Sequence, residues 1–303
     1  MGGASLYSSD FPHMIGEVLD TIFQNEYNRP IDNSWSQLCT SINSTKAIEK
    51  YGFLGANPSM REFTDERQPT GFQEHAFSIA NKKYESTISI AVDALDDDQY
   101  GQIALQVQKL GEVTRQFKEE CAYTVLAEGD QSTYGTCYDG QNFFSDTHKE
   151  GMYYTTVQDN LGSSTLSQTS LSATRAIMMR FKDDRGKELK IVPDTLIVPP
   201  ELEDTAIQLT KSATVDASGN VNVNQGRYKI LVSPFITDND SWILAKTNGV
   251  MKPLIYQNRM DAKFQALEGN SEAGFMRDEY LYGVKTRFAF GYGDWRNAYM
   301  HVP

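Results

Sequence analysis

The sequence predicts an α+β protein, and three observations carry that expectation. Between Phe72 and Leu126 the apolar period switches once, from two residues to about 3.6. Strand-like runs then crowd the C-terminal half, with isolated helices and turns between them. Helices and strands do not alternate regularly, so they are segregated rather than doubly wound.

The elements follow in order. Residues 1–10 are small and polar and read as an N-terminal arm. Met14, Ile15, Val18, Leu19, Ile22 and Phe23 trace an amphipathic helix that the polar stretch 25–32, with Pro30 inside it, brings to an end. Trp35, Leu38 and Ile42 predict one or two further helical turns. An irregular extended region then runs through Thr70, and its turn-rich pieces cannot bury much surface alone. Phe77 and Ile79, followed by Tyr84, Ile88, Ile90 and Val92, alternate with period two. They describe two strands joined near Asn81-Lys82-Lys83 as a long hairpin.

Ile103, Val107, Leu110, Thr114, Phe117, Cys121 and Val125 then form a single stripe at helical spacing. Asp96, Asp97 and Asp98 suit the start of that helix, because carboxylates cap free N–H groups and complement the positive end of the dipole. Gly129 is a natural stop. About 30 residues at 1.5 Å each would span roughly 45 Å. Gly111 beside the stripe costs about 1 kcal/mol relative to Ala, so a bend or the close approach of another backbone is expected there.

Residues 136–160 are aromatic, turn-rich and irregular. Leu171, Thr174, Ile177, Met178 and Phe181 mark a further helix ended by the polar run 182–186. Residues 195–198 read as a buried strand, and Pro199-Pro200 opens the next helix. Residues 216–225 read as an exposed hairpin centred on Ser218-Gly219-Asn220. Strand-like runs follow at 228–232, 242–245 and 254–256. Tyr282, Val284, Phe288 and Phe290 alternate before an aromatic tail through Trp295 and Tyr299.

A length of 303 residues allows about two domains. Sixteen Tyr and fifteen Phe supply contact surface for a core or for subunit interfaces. With 40 acidic and 28 basic residues the net charge is −12, which argues against nonspecific nucleic-acid binding through displaced counterions. Such a chain can surround nucleic acid without gripping it, since an acidic wall repels phosphate. Cys39, Cys121 and Cys137 are an odd, widely spaced set that fits no disulfide framework, so folding in a reducing cytoplasm is expected. No apolar run approaches the roughly 18 residues of a membrane span, and the N-terminus lacks a signal-peptide core.

The sequence carries few motifs of known chemistry. The phosphate-binding G-x-x-x-x-G-K-[ST], the zinc-binding H-E-x-x-H and the nucleophile G-x-S-x-G are all absent. Cys137, Asp139, Asp146 and His148 form the best cluster. It reads either as a metal site or as a loop whose Tyr138-Asp139-Gly140 turn makes backbone hydrogen bonds. Three Cys and four scattered His supply few ligands for a four-coordinate zinc, which favours the loop. His13, His75 and His301 have no carboxylate or Cys motif nearby. No catalytic, metal or cofactor site is expected. Arg61, Glu62, Arg67, Lys82, Lys83 and Glu85 are mixed in sign. They read either as a solvated face or as candidate intersubunit contacts whose ion pairs fix register between copies.

Four segments together resemble the Mu-like major head subunit family of tailed bacteriophages. They are Tyr51 to Phe63 through Asn57-Pro58 and Arg61-Glu62, with Glu66-Arg67 after; Asn81-Lys82-Lys83-Tyr84-Glu85 leading to Asp97-Asp98 and Gly101; Cys137-Tyr138-Asp139-Gly140 with Phe143-Phe144, Asp146 and His148; and Tyr282-Gly283-Val284 with Gly291, Gly293 and Trp295. Phe53 stands where the family pattern has Trp, and Lys149 where it has Pro.

The resemblance implies the Hong Kong 97-type capsid fold: an N-terminal arm (about 1–46), an extended loop (47–92), a peripheral domain with a long spine helix (93–165), an axial domain (166–269) and a return to the peripheral domain (270–303). It implies a major capsid protein that self-assembles, as pentamers and hexamers, into an icosahedral shell in the bacterial host cytoplasm and ends in the virion. DNA is enclosed without specific binding and no membrane takes part. The alternative of the same fold is an encapsulin-like compartment shell. No N-terminal segment with long helical periodicity offers a built-in scaffold, so a separate scaffolding protein is expected, with a portal and possible decoration proteins.

Overall fold

A computed structural model of the chain describes residues 10–29, 33–54, 74–91, 100–149, 155–183, 186–214, 221–267 and 278–303. In chain order these hold α1 (Asp10–Tyr27), α2 (Ser34–Leu38), β1 (Cys39–Asn43), β2 (Ile48–Leu54), β3 (Glu74–Ala80), β4 (Lys82–Ala91) and α3 (Tyr100–Ala127). Next come β5 (Leu161–Gly162), α4 (Gln168–Met179), β6 (Thr195–Val198), α5 (Glu203–Lys211), β7 (Lys229–Val232) and β8 (Trp242–Ala245). The chain ends with β9 (Leu254–Leu267), β10 (Glu279–Tyr292) and β11 (Ala298–His301). They form two compact units, one from Met1–Asn33, Asn81–Glu120 and Asn258–Ala289, the other from Ser34–Ala80, Cys121–Gln257 and Phe290–Pro303.

In the first unit α1 and the front of α3 bury their stripes on one face of β4, β9 and β10. Leu19 and Phe23 meet Ile103, Val107 and Leu110 over Ile90, Ala262, Tyr282 and Val284. Each fully buried side chain of this size contributes about 1.5–3 kcal/mol. The alternation expected at Tyr282 and Val284 is real: Tyr282, Val284, Thr286 and Phe288 are buried, and the residues between them are not. Gly111 answers its own question by close approach, since a Cβ there would lie 3.1 Å from the Phe23 carbonyl oxygen. The stripe of α3 holds as far as Thr114. Beyond it Ala122, Tyr123, Val125 and Leu126 are all buried, so the last turns are covered on more than one side.

The second unit is built on a mixed five-stranded sheet in the order β5-β11-β8-β6-β7. β6 runs parallel to β7 and antiparallel to β8, while β11 runs antiparallel to β8 and parallel to β5. β6 and β8 are buried along their whole length, as continuous apolar runs require. The helix expected from Leu171 to Phe181 is α4. Ser167 caps it in a reciprocal box with Ser170, and Leu171, Thr174 and Met178 are buried. A 3-10 turn at Pro200–Leu202 leads into α5, as the proline pair predicts.

Three expectations need correction. β3 and β4 have close to the predicted bounds but are not partners. β3 pairs antiparallel with β2, from Ile48 opposite Ala80 to Leu54 opposite Glu74. β4 pairs with β10, from Glu279 opposite Ala91 to Phe288 opposite Lys82. Only Asn81 separates β3 from β4, and the tightest common hairpin needs two residues to reverse the chain. The extended region also contains an ordered strand, β2, where no regular structure was expected. Ile42 lies in strand β1 and not in a helical turn. The hairpin expected at 216–225 is described only at its base, where Thr214 bridges Val221; its centre, like Asp96 to Asp98, lies outside the described residues.

Candidate functional sites

The cluster at residues 137–148 is assembled by a turn. Gly140 donates to the Cys137 carbonyl (3.0 Å) and adopts φ +79°, and Cys137 donates to the Gln141 carbonyl (2.8 Å). This turn aims Asp139 inward, where its Oδ2 lies 2.6 Å from His148 Nδ1. The other ring nitrogen, Nε2, faces the Phe143 carbonyl at 3.3 Å. The imidazole stacks on Trp295 with centroids 4.0 Å apart and planes 2° from parallel, and Trp295 Nε1 donates to Tyr138 (3.0 Å).

Chemically this is a lock. Both His148 and Asp139 are shut off from solvent, so neither can meet a substrate. Burial, then the charges of Asp139 and Asp294, pushes the Cys137 thiol well above its ordinary range, which keeps it from being a nucleophilic thiolate. Asp146 is exposed and does not join the group. Among the described residues no three His, Cys, Asp or Glu side chains converge as metal ligands. Among the same residues no helix is long and apolar enough to cross a membrane.

His301 is a second buried imidazole, joined to the fold by partners far away in sequence. Its Nδ1 accepts from the Ser164 N–H at 3.1 Å, its Nε2 lies 2.8 Å from Thr174 Oγ1, and the ring stacks on Trp242. With Nδ1 accepting, the proton sits on Nε2 and points at the Thr174 oxygen, whose own hydrogen goes to the Ser170 carbonyl (2.8 Å). Burial lowers the pKa to about 4. The ring is a neutral structural part.

The candidate contacts sort by position on the fold. Arg61, Glu62 and Arg67 lie outside the described residues. Lys82, Lys83 and Glu85 are exposed on β4, the last strand in the sheet order β1-β9-β10-β4. Lys83 stands opposite Arg287 and Glu85 opposite Lys285, both on the face away from the helices. Lys82 stands opposite Phe288, on the other parity of the strand. Sequence reasoning missed Arg259 and Arg287 on this face. The alternation of Lys285 and Arg287 with Val284, Thr286 and Phe288 was the available signal.

A long helix and a short one packed on an antiparallel sheet, a separate two-stranded ribbon and a mixed-sheet unit make up the Hong Kong 97-type fold of phage capsid proteins. The chain superimposes on one from the procapsid of bacteriophage JBD30 with a TM-score of 0.60 and 25% identity, over 96% of this chain and 76% of that one. A profile of the family described as Mu-like prophage major head subunit gpT matches residues 13–164, 157–236 and 237–302. The chain belongs to that family.

Its relatives include the Mu-like prophage FluMu major head subunit of Haemophilus influenzae, 24% identical over 268 residues and 88% of this chain. The major capsid protein of Escherichia phage Mu is 25% identical over 286 residues and 93% of this chain. The chain spans 65% of the length of the first and 72% of the second.

Proposed function

We propose that copies of this chain self-associate into the closed icosahedral head of a tailed phage or prophage, enclosing double-stranded DNA. The observation that carries this reading is the family match, whose segments 13–164, 157–236 and 237–302 cover nearly the whole chain. Pentamers and hexamers are the building units, and heterologous contacts that close on themselves make the shell. A separate scaffolding protein, a portal and decoration proteins are the proposed partners. Assembly takes place in the host cytoplasm, the finished protein resides in the virion, and its role is structural with no catalytic step.

The division into arm (1–46), extended loop (47–92), peripheral domain (93–165 and 270–303) and axial domain (166–269) belongs to the same proposal. It is supported by the 28-residue helix α3 and by β2 and β3, which among the described residues form a two-stranded sheet of their own. A two-stranded ribbon is marginal alone and gains stability by lying on something else. In the proposal that support is a neighbouring subunit, so order in this segment is coupled to assembly. The family match favours a phage head over an encapsulin-like compartment.

Negative-stain microscopy of the purified chain, with and without its scaffold, tests the reading. Closed shells of one or a few sizes are expected. A stable small oligomer with measurable turnover, rings or tubes in place of shells, or shells filled with a cargo enzyme would each overturn it.

A further inference from the structure

One row of side chains on the open face of the first unit carries charge that no ion pair answers among the described residues. Lys83 of β4 stands directly opposite Arg287 of β10. On the far side of β10 lies β9, and the Thr286 hydroxyl donates to the Met260 carbonyl at 2.9 Å, which sets Arg259 beside Arg287. Three cations therefore cross three adjacent strands. Like charges side by side in a sheet repel, and none of these three forms an ion pair among the described residues. Arg287 Nε and Arg259 Nη1 are also shielded from solvent and have no hydrogen-bond acceptor among the described residues. Buried donors without acceptors are rare in folded proteins, and each calls for a partner that completes it.

We propose that Lys83, Arg287 and Arg259 form a docking surface for a carboxylate-bearing segment of a second copy of this chain. This deepens the shell reading and rests on it. Charge complementarity selects the occupant. Every copy carries twelve more acidic than basic residues, so carboxylates are the anions that neighbouring copies bring in excess. The guanidinium fork suits a carboxylate held by two parallel hydrogen bonds. The row is bounded on one side by an acid, because Glu85 stands opposite Lys285 two residues along. A nucleic-acid backbone, with evenly repeated phosphates, would run from the cationic row onto Glu85 and be repelled. A short acidic segment ends where the row ends.

The test uses shells assembled with the scaffold from an equal mixture of nitrogen-15-labelled and unlabelled full-length chain. Carbodiimide joins Lys83 to any carboxylate in contact, and mass spectrometry reads the isotope of each partner. Mixed-isotope links from Lys83 to an Asp or Glu are expected. Arg287→Gln and Arg259→Gln are expected to melt like the parent while the concentration needed for shells rises roughly tenfold. Arg287→Lys is expected to recover part of that loss. Shells in which Lys83 links only within one chain, Gln variants that assemble at the parental concentration, or Lys83 recovered on nucleic acid after photocrosslinking overturn the inference and leave the shell reading standing. Failure of the parent chain to form shells overturns both.

Discussion

Gly111 sits where α3 packs tightly against the last turns of α1. A Cβ there would lie 3.1 Å from the Phe23 oxygen, 3.2 Å from Glu26 Cβ and 3.4 Å from the Tyr27 nitrogen. Alanine recovers about 1 kcal/mol of helix propensity, and the crowding takes back a similar amount, so Gly111→Ala is expected to be nearly neutral. Gly111→Val has no room for its branches and should lose about 1–3 kcal/mol, read as a shifted urea midpoint at constant slope. His301 supplies a pH dependence with a definite sign. Its pKa is lowered to about 4 in the fold by burial, so the unfolded chain binds the proton more readily. The stability it contributes is complete above its ordinary pKa of about 6.5 and is lost as pH falls from there through about 4. The loss is on the order of 2 kcal/mol after allowance for solvent screening. His301→Gln keeps a hydrogen-bonding side chain without a titrating ring and should flatten the stability profile across that window. An unchanged slope in denaturation titrations would assign the dependence elsewhere.

Among the elements, those fixed by local pattern were legible and those fixed by pairing were not. The stripe of α3, the apolar runs of β6 and β8 and the alternation of β10 all report burial residue by residue, and burial is what periodicity encodes. The choice of partner for β3 and β4 depends on segments distant in the chain. β10 lies nearly 200 residues beyond β4, and no local signal marks it as the neighbour. The candidate contact surface follows the same rule. Lys82, Lys83 and Glu85 stand out in a linear reading, whereas Arg259 and Arg287 become their neighbours only when β9 and β10 fold beside β4. The β2–β3 ribbon yields a prediction at this scale. It has two strands, Tyr51 stacks on Phe77, and Tyr51 donates to Gln257 at 2.7 Å near its base. In free subunits its amides are expected to exchange with solvent faster than those of β4 and β10, because a two-stranded ribbon opens at low cost. In shells the difference should shrink markedly. Equal ribbon protection in free and assembled protein would show that its order owes nothing to a neighbour.

At the scale of the whole molecule, charge and shape pull in different directions, and assembly has to reconcile them. Each copy carries a net charge of −12, so bringing many copies together costs electrostatic energy that apolar and paired contacts must exceed. The excess is not spread evenly. The strands of β4, β9 and β10 within the first unit carry Lys82, Lys83, Arg259, Lys263, Lys285 and Arg287 against Glu85, Asp261 and Glu279. A cationic sheet in an anionic chain is suited to contacts between copies, and in the proposed shell using it there would cover those six basic side chains. The rest of the chain is acidic, and in the proposed shell an acidic lumen would let packaged DNA slide and leave without adhering. Shells assembled in extracts without packaging should therefore carry no nucleic acid after a low-salt wash, with an ultraviolet spectrum of protein alone. The Arg287→Gln variant should stay equally clean if its guanidinium faces another copy. Retention of nucleic acid by parental shells that nuclease and moderate salt then strip away would place basic side chains on the inner wall and reverse the assignment of that face.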